Sequence, residues 1–187
     1  MSKLSNKIKL ITLSAIMAAL YVGLDFLAVS VSAPFGGSLK ISISGLPVII
    51  VSIFGGPIWG AATGFIGALL GQMISYGFSP MTLLWVLPAV VRGLSVGLLF
   101  KAFKKSTKPL ILTIITCISS ILVTFFNTIA QLVDFAVYGA YYPGAPESYV
   151  AVLWGVPQRL LAGILTAIIL SLMLPTLIDA IKKIIKN

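Results

Sequence analysis

Two arginines and a run of amide side chains stand where an apolar chain should not carry them. Arg92 lies about ten residues into one apolar run and Arg159 about nine into another. A guanidinium in hydrocarbon is costly on any scale, so each should face a bundle interior and a partner. Asp134 and Asp25 are the acidic residues near those depths, whereas Glu147 falls in a loop and Asp179 in the C-terminal tail. One arginine can pair with Asp134. The other then awaits an anionic ligand, because a guanidinium grips a carboxylate through two parallel hydrogen bonds.

A second constellation lies in one helix-length run. Thr113, Thr116, Ser120, Thr124, Asn127, Gln131, Asp134 and Tyr138 recur at steps of three and four, which puts them on one face. The hydroxyls of the first half can bond their own helix's carbonyls. Asn127, Gln131 and Asp134 need stronger partners, since an unsatisfied polar group in hydrocarbon costs several kcal/mol. They form either an inter-helix network or the wall of a polar cavity open to the outside. Gln158 stands beside Arg159, Gln72 closes a glycine-rich run, and Lys40 adds positive charge at a loop edge. Trp85, Trp154, Tyr138 and Phe35 offer stacking faces, and each alone also suits an interfacial anchor.

Catalytic constellations are missing from the sequence. The chain has no histidine, no paired carboxylates, no HExxH and no phosphate-binding GxxxxGK[ST] loop, so we expect no metal site, no cofactor and no enzyme activity. Whatever it moves must be driven by a gradient or by a partner.

The elements that position these groups follow from composition. Of the 187 residues 59% are hydrophobic and 9% charged, with a mean hydropathy of +1.12. Soluble domains carry about 25% charged residues, which makes this an integral membrane protein. The net charge of +9 does not indicate nucleic acid. Most of the basic residues gather in three clusters, Lys3–Lys7–Lys9, Lys101–Lys104–Lys105–Lys108 and Lys182–Lys183–Lys186, each flanking an apolar run. That is the pattern of cytoplasmic ends set against anionic lipid headgroups. The lone Cys117 has no intrachain partner for a disulfide.

Six spans fit, at about 10–29, 41–54, 58–76, 82–100, 109–139 and 150–174, in one membrane domain covering 1–187. The expected fold is an all-α membrane protein of six transmembrane helices with both termini inside. A lysine-rich start before an apolar core also fits a signal peptide cut after Ala33, although the apolar run is long for one. Residues 30–40 read as a flexible outer loop, and an amphipathic cytoplasmic tail is expected after Pro175. The second span is short and contains Pro47, and the fifth exceeds what a bilayer needs. No internal repeat stays in register, which disfavours an inverted-repeat transporter.

Two small-residue patterns complete the reading. Gly56, Gly60 and Gly64 are four apart, followed by Gly67 and Gly71, so a smooth strip runs down one helix face where another backbone can approach. In the first span Ala15 and Ala19 form a small-xxx-small pair with Ala18 beside them, suited to packing within the bundle or to a helix of another subunit.

Taken with the segment ISISGLPVIIVSIFGGPIWGAATGFIGALLGQ, these features resemble the substrate-binding (S) components of energy-coupling factor (ECF) vitamin transporters, most nearly their folate and pantothenate branch. The resemblance implies a subunit of the prokaryotic plasma membrane that captures one water-soluble vitamin in an outer cavity. The cavity would lie under the loop around Pro34 to Lys40. Its implied partners are a transmembrane coupling protein, met by Ala15 and Ala19, and two cytoplasmic ATPases. Gln72 departs from the pattern, since an acidic residue often stands near that helix end. The residues with implied or inferred ligand contact are Lys40, Gln72, Trp85, Arg92, Asn127, Gln131, Asp134, Tyr138, Trp154, Gln158 and Arg159. The arginines and Lys40 favour a carboxylate-bearing ligand over a cation such as thiamine. The rival reading is a stand-alone secondary transporter or channel.

Overall fold

A computed structural model describes residues 3–32, 38–139 and 148–186, with side chains over 7–28, 42–139 and 148–183. The expectations placed on residues 33–37 (the cleavage site, the ring of Phe35, the start of the covering loop) and on Glu147 lie outside the described residues.

The chain order is α1 (Lys3–Phe26), β1 (Val29–Ser32), β2 (Ser38–Ile41), α2 (Gly45–Gly55), α3 (Pro57–Tyr76), α4 (Thr82–Ala102), α5 (Pro109–Tyr138), α6 (Tyr149–Trp154) and α7 (Val156–Lys186). By length and apolarity α1, α3, α4, α5 and the α6–α7 rod can each cross a membrane, and α2 is a shorter apolar helix among them. The expected helical bundle is present, with the span boundaries shifted for identifiable reasons.

The first span stops at Phe26 rather than at residue 29. Alternation in Val29-Ser30-Val31-Ser32 has the period of a strand, and this stretch pairs antiparallel with β2, Val29 opposite Ile41 and Ser32 opposite Ser38. The expected flexible loop is therefore a short hairpin at its two roots. The second helix begins at Gly45 rather than residue 41. Pro47 sets that start, because inside a helix its ring would collide with the carbonyl four residues earlier, at Ile43. At the other end of the chain the sixth span is interrupted at Gly155, because Pro157 has no N–H to give the carbonyl of Leu153 and its ring crowds that carbonyl. The expected separate tail is instead a continuation of α7 straight through Pro175. Leu170, Leu174 and Ile178 lie on one stripe and are buried with Phe100, Leu112 and Ile115. That packing outweighs the roughly 3 kcal/mol a proline costs a helix interior.

Small residues set how closely the bundle closes. A methyl on Gly64 would lie 2.5 Å from the carbonyl oxygen of Ala89, and one on Gly97 2.5 Å from Cα of Pro57. Gly93 meets the backbone of Gly60 in the same way, so α3 and α4 cross with their main chains in contact. Hydroxyls tie the interior together: Ser52 donates to the carbonyl of Gly93 at 3.0 Å, Ser95 and Ser119 share a bond of 2.8 Å, and Thr116 donates to the carbonyl of Ala167 at 3.2 Å. The first half of the α5 stripe is thus structural, as expected for hydroxyls that also bond their own helix.

Candidate functional site

The site is built around the start of α2. Its eleven residues rise about 16 Å, at about 1.5 Å per residue, roughly half of the ~30 Å hydrocarbon layer. Its last turn belongs to the lysine-bearing end of the bundle, where the Lys101 side chain reaches the Gly56 turn. Its first residue, Gly45, therefore stops partway across, and the hairpin lies on the other side of it.

Arg92 comes to that point from α4. A methyl on Gly45 would lie 2.9 Å from Nη1 and 3.0 Å from Cζ and Nε, so the guanidinium rests against the Gly45 backbone and only glycine admits it there. Arg92 is half-buried, and among the described residues no hydrogen bond or ion pair takes up its guanidinium. A helix N-terminus carries partial positive charge. Two positive features thus coincide inside the bundle.

Residues that the sequence reading left unassigned surround them. Ser44 Oγ donates to Oδ1 of Asp25 at 3.2 Å, Ser42 Oγ donates to Ser44 Oγ at 2.8 Å, and the Ser44 amide donates back to Ser42 Oγ at 3.1 Å. Tyr21 stands one turn before Asp25 on the same face of α1 and is partly buried. On α3, Gly67 packs against the Tyr21 ring, whereas one turn further a methyl on the buried Gly71 would meet nothing within 4 Å. There is room inside the bundle at that level. Gln72, next to it, and Trp85 are half-buried.

A second polar group lies on α5, α6 and α7. Asp134 is buried and Asn127 half-buried. Gln131 Oε1, both amide atoms of Gln158 and Nε of Arg159 are shielded from solvent without a hydrogen-bond partner. Each such atom costs about 1–3 kcal/mol unless water or a ligand satisfies it. Arg159, expected to meet Asp134 or a ligand, does otherwise: its Nη2 donates to the carbonyl of Val152 at 2.6 Å. It caps the end of α6 across the Gly155 break, where carbonyl dipoles are negative. Among the described residues no ion pair joins Asp134 to either arginine.

The remaining candidates divide. Trp154 and Tyr138 are surface residues, 63% and 44% exposed, placed as interfacial anchors are. Lys40 sits in β2 opposite Ser30, and its side chain is outside the described set. On α1, Ala15 and Ala19 are exposed while Ala18 is buried at 3%, so the three alanines do not share a surface. Ala19 and Gly23 floor a shallow apolar groove walled by Ile16, Leu20, Leu24 and Leu27.

Comparison with known proteins bears on this arrangement. Residues 5–182 match the family model described as "ECF-type riboflavin transporter, S component". The chain belongs to that family. Its helices, five of them among the described residues long and apolar enough to cross a membrane, fit a multi-pass protein of the cell membrane. Among curated relatives, a UPF0397 protein of Streptococcus thermophilus (strain ATCC BAA-491 / LMD-9) is 31% identical over 99 residues, covering 53% of this chain and 52% of that protein. UPF0397 protein str0306 of strain CNRZ 1066 gives the same figures. The chain thus spans about half the length of the curated relatives it matches. A solved structure described as "Structure and mechanism of the S component of a bacterial ECF transporter" superposes with a TM-score of 0.62 at 20% identity, over 94% of this chain and 99% of that one. That likeness concerns the fold.

Proposed function

We propose that this chain captures a carboxylate-bearing, water-soluble vitamin or related molecule, of the folate or pantothenate kind, from the hairpin side of the membrane. That side is the outer one, with both termini and the lysine clusters in the cytoplasm and residues 1–187 acting as one membrane unit. Ala15 and Ala19 meet a transmembrane coupling protein, and two cytoplasmic ATPases drive delivery. The observation that carries the ligand class is Arg92. A guanidinium at the start of α2, with no hydrogen-bond acceptor among the described residues, fits an anionic group. The unsatisfied amides of Gln131 and Gln158 suit the polar remainder of such a ligand.

The description of the matching family favours a second reading, in which the ligand is riboflavin. Mass spectrometry of small molecules released from the purified protein separates the two. The proposal expects a carboxylate vitamin, and an Arg92→Ala protein that no longer retains it. Release of riboflavin would select the second reading. Release of thiamine, with Arg92→Ala binding it normally, would remove the anion argument altogether.

A further inference from the structure

We infer that the lysine-bearing end of the bundle is a platform for the phosphate headgroups of anionic phospholipids, centred on the turn that ends α4. That turn is built against the backbone's preference. The Lys105 amide donates to the Phe100 carbonyl at 2.8 Å and the Lys104 amide to the Lys101 carbonyl at 3.0 Å, the paired bonds that close a helix through a left-handed residue. Glycine usually stands there, because a side chain crowds its own backbone in that conformation. Here Lys104 and Lys105 adopt it in succession, with φ of 54° and 57°, and among the described residues no other non-glycine residue has a positive φ. Strain of this kind persists where side chains serve something other than the fold. Both side chains are exposed, so packing is not what they serve. The general tendency of lysine to flank spans accounts for the sign of the charge, but not for two lysines in a glycine conformation.

Folding adds a second cluster to this turn. Phe103, at the turn, and Ile181, near the end of α7, pack against one apolar core. That brings Lys182 and Lys183 to the end of the bundle that carries Lys101, Lys104, Lys105 and Lys108, and all six side chains are exposed. Little opposes their charge: of the chain's four acidic residues only Asp179 lies near any of the six in sequence, 3.9 Å from Lys182. Like charges gathered in this way repel one another, and a bound anion relieves the repulsion. The neighbours of the lysines decide which anion. Leu98, three residues before Lys101, is 57% exposed, and Leu110, two residues after Lys108, is 72% exposed. In a membrane-spanning chain such side chains meet acyl chains, and lysine stems reach from that level to the headgroups. Phosphate beside acyl chain is what a phospholipid offers, whereas an acidic protein surface offers the charge alone. Each lysine near an anionic surface is worth roughly fivefold in partitioning. None of this depends on the capture reading.

The test is thermal unfolding of the full-length protein in dodecyl maltoside, titrated with phosphatidylglycerol or with phosphatidylcholine of the same acyl chains, alongside native mass spectrometry of the lipid retained. The inference expects phosphatidylglycerol to raise the melting temperature saturably and phosphatidylcholine to leave it unchanged. Lys104→Gly/Lys105→Gly removes the strain and two charges together. This variant should melt at or above wild type without lipid, yet bind phosphatidylglycerol roughly tenfold or more weakly. Lys182→Gln/Lys183→Gln, away from the turn, should weaken binding by a similar factor and leave lipid-free melting unchanged, since both clusters serve one platform. Equal responses to the two lipids would overturn the inference, as would full phosphatidylglycerol affinity in either variant. A glycine variant that melts below wild type without lipid would make the turn a purely structural one. Stabilisation by a poly-glutamate peptide as strong as that by phosphatidylglycerol would assign the lysines to an acidic protein partner instead.

Discussion

Replacing Gly45 with alanine isolates the contact that we place at the centre of the site. The added methyl would lie 2.9 Å from Nη1 of Arg92 and 3.0 Å from both Cζ and Nε. Carbon and nitrogen atoms in ordinary contact stand about 3.5 Å apart, so the guanidinium must retreat by about 0.5 Å. It can do so, being the end of a flexible side chain, and alanine is the better helix former by up to about 1 kcal/mol. Thermal stability should therefore hold or rise slightly. Binding should not hold. A displaced guanidinium forfeits a charge-assisted hydrogen bond of about 1.5–3 kcal/mol, a loss of roughly 10- to 150-fold in affinity. The assay is isothermal titration calorimetry with the compound that mass spectrometry names, run on Gly45→Ala, Arg92→Ala and the double variant. In the Arg92→Ala background the alanine at 45 should change affinity less than about twofold, because its target is gone. Two results refute the reasoning: full affinity in a folded Gly45→Ala protein, or an equal loss from Gly45→Ala with and without Arg92.

Other substitutions test neighbouring parts of the account. Gly64→Ala sets a methyl against the Ala89 carbonyl, which as backbone cannot move aside, and should cost about 1–3 kcal/mol in detergent melting, whereas Gly71→Ala, facing open space, should cost little. Ala19→Trp should block assembly with the coupling protein in a pull-down while sparing ligand binding, and Ala18→Trp, at a site buried to 3%, should instead lower the yield of folded protein. Arg159→Ala should leave affinity within about threefold of wild type, because its guanidinium caps Val152, but should speed proteolysis near Gly155.

Much of this arrangement is legible in the chain itself. Apolar runs and lysine clusters mark the spans. Of the glycine steps, Gly60 and Gly64 mark the α3–α4 crossing while Gly67 makes room for the Tyr21 ring and Gly71 faces open space, and the 113–138 stripe places its polar side chains on one face. What the sequence hides is chemistry that depends on where helices stop. Ser42, Ser44 and Gly45 read as the start of a second span until Pro47 is seen to forbid helix at Ile43 and earlier; only then do two serines and a helix start fall inside the bundle beside Arg92. The signal was present in Ser-x-Ser-Gly-x-Pro. Arg159 misleads for a related reason. By depth it matches Arg92, but the break at Gly155 sets a row of carbonyls beside it, and the nearer dipole wins. Pro175 reads as a helix end because local propensity says so, while Leu174 and Ile178, packed with Phe100 and Leu112, carry the helix through. The α1 alanines differ again, since spacing cannot tell which of three neighbours faces inward.

The central claim is that this chain captures a solute and does not carry it across alone. Uptake into proteoliposomes tests it most directly, using the compound released from the purified protein, with an imposed ion gradient and with or without the coupling protein and ATPases supplied with ATP. The account predicts saturable binding by this chain alone, no accumulation under any gradient, and ATP-dependent accumulation once the other subunits are present. Gradient-driven accumulation by this chain alone would contradict it.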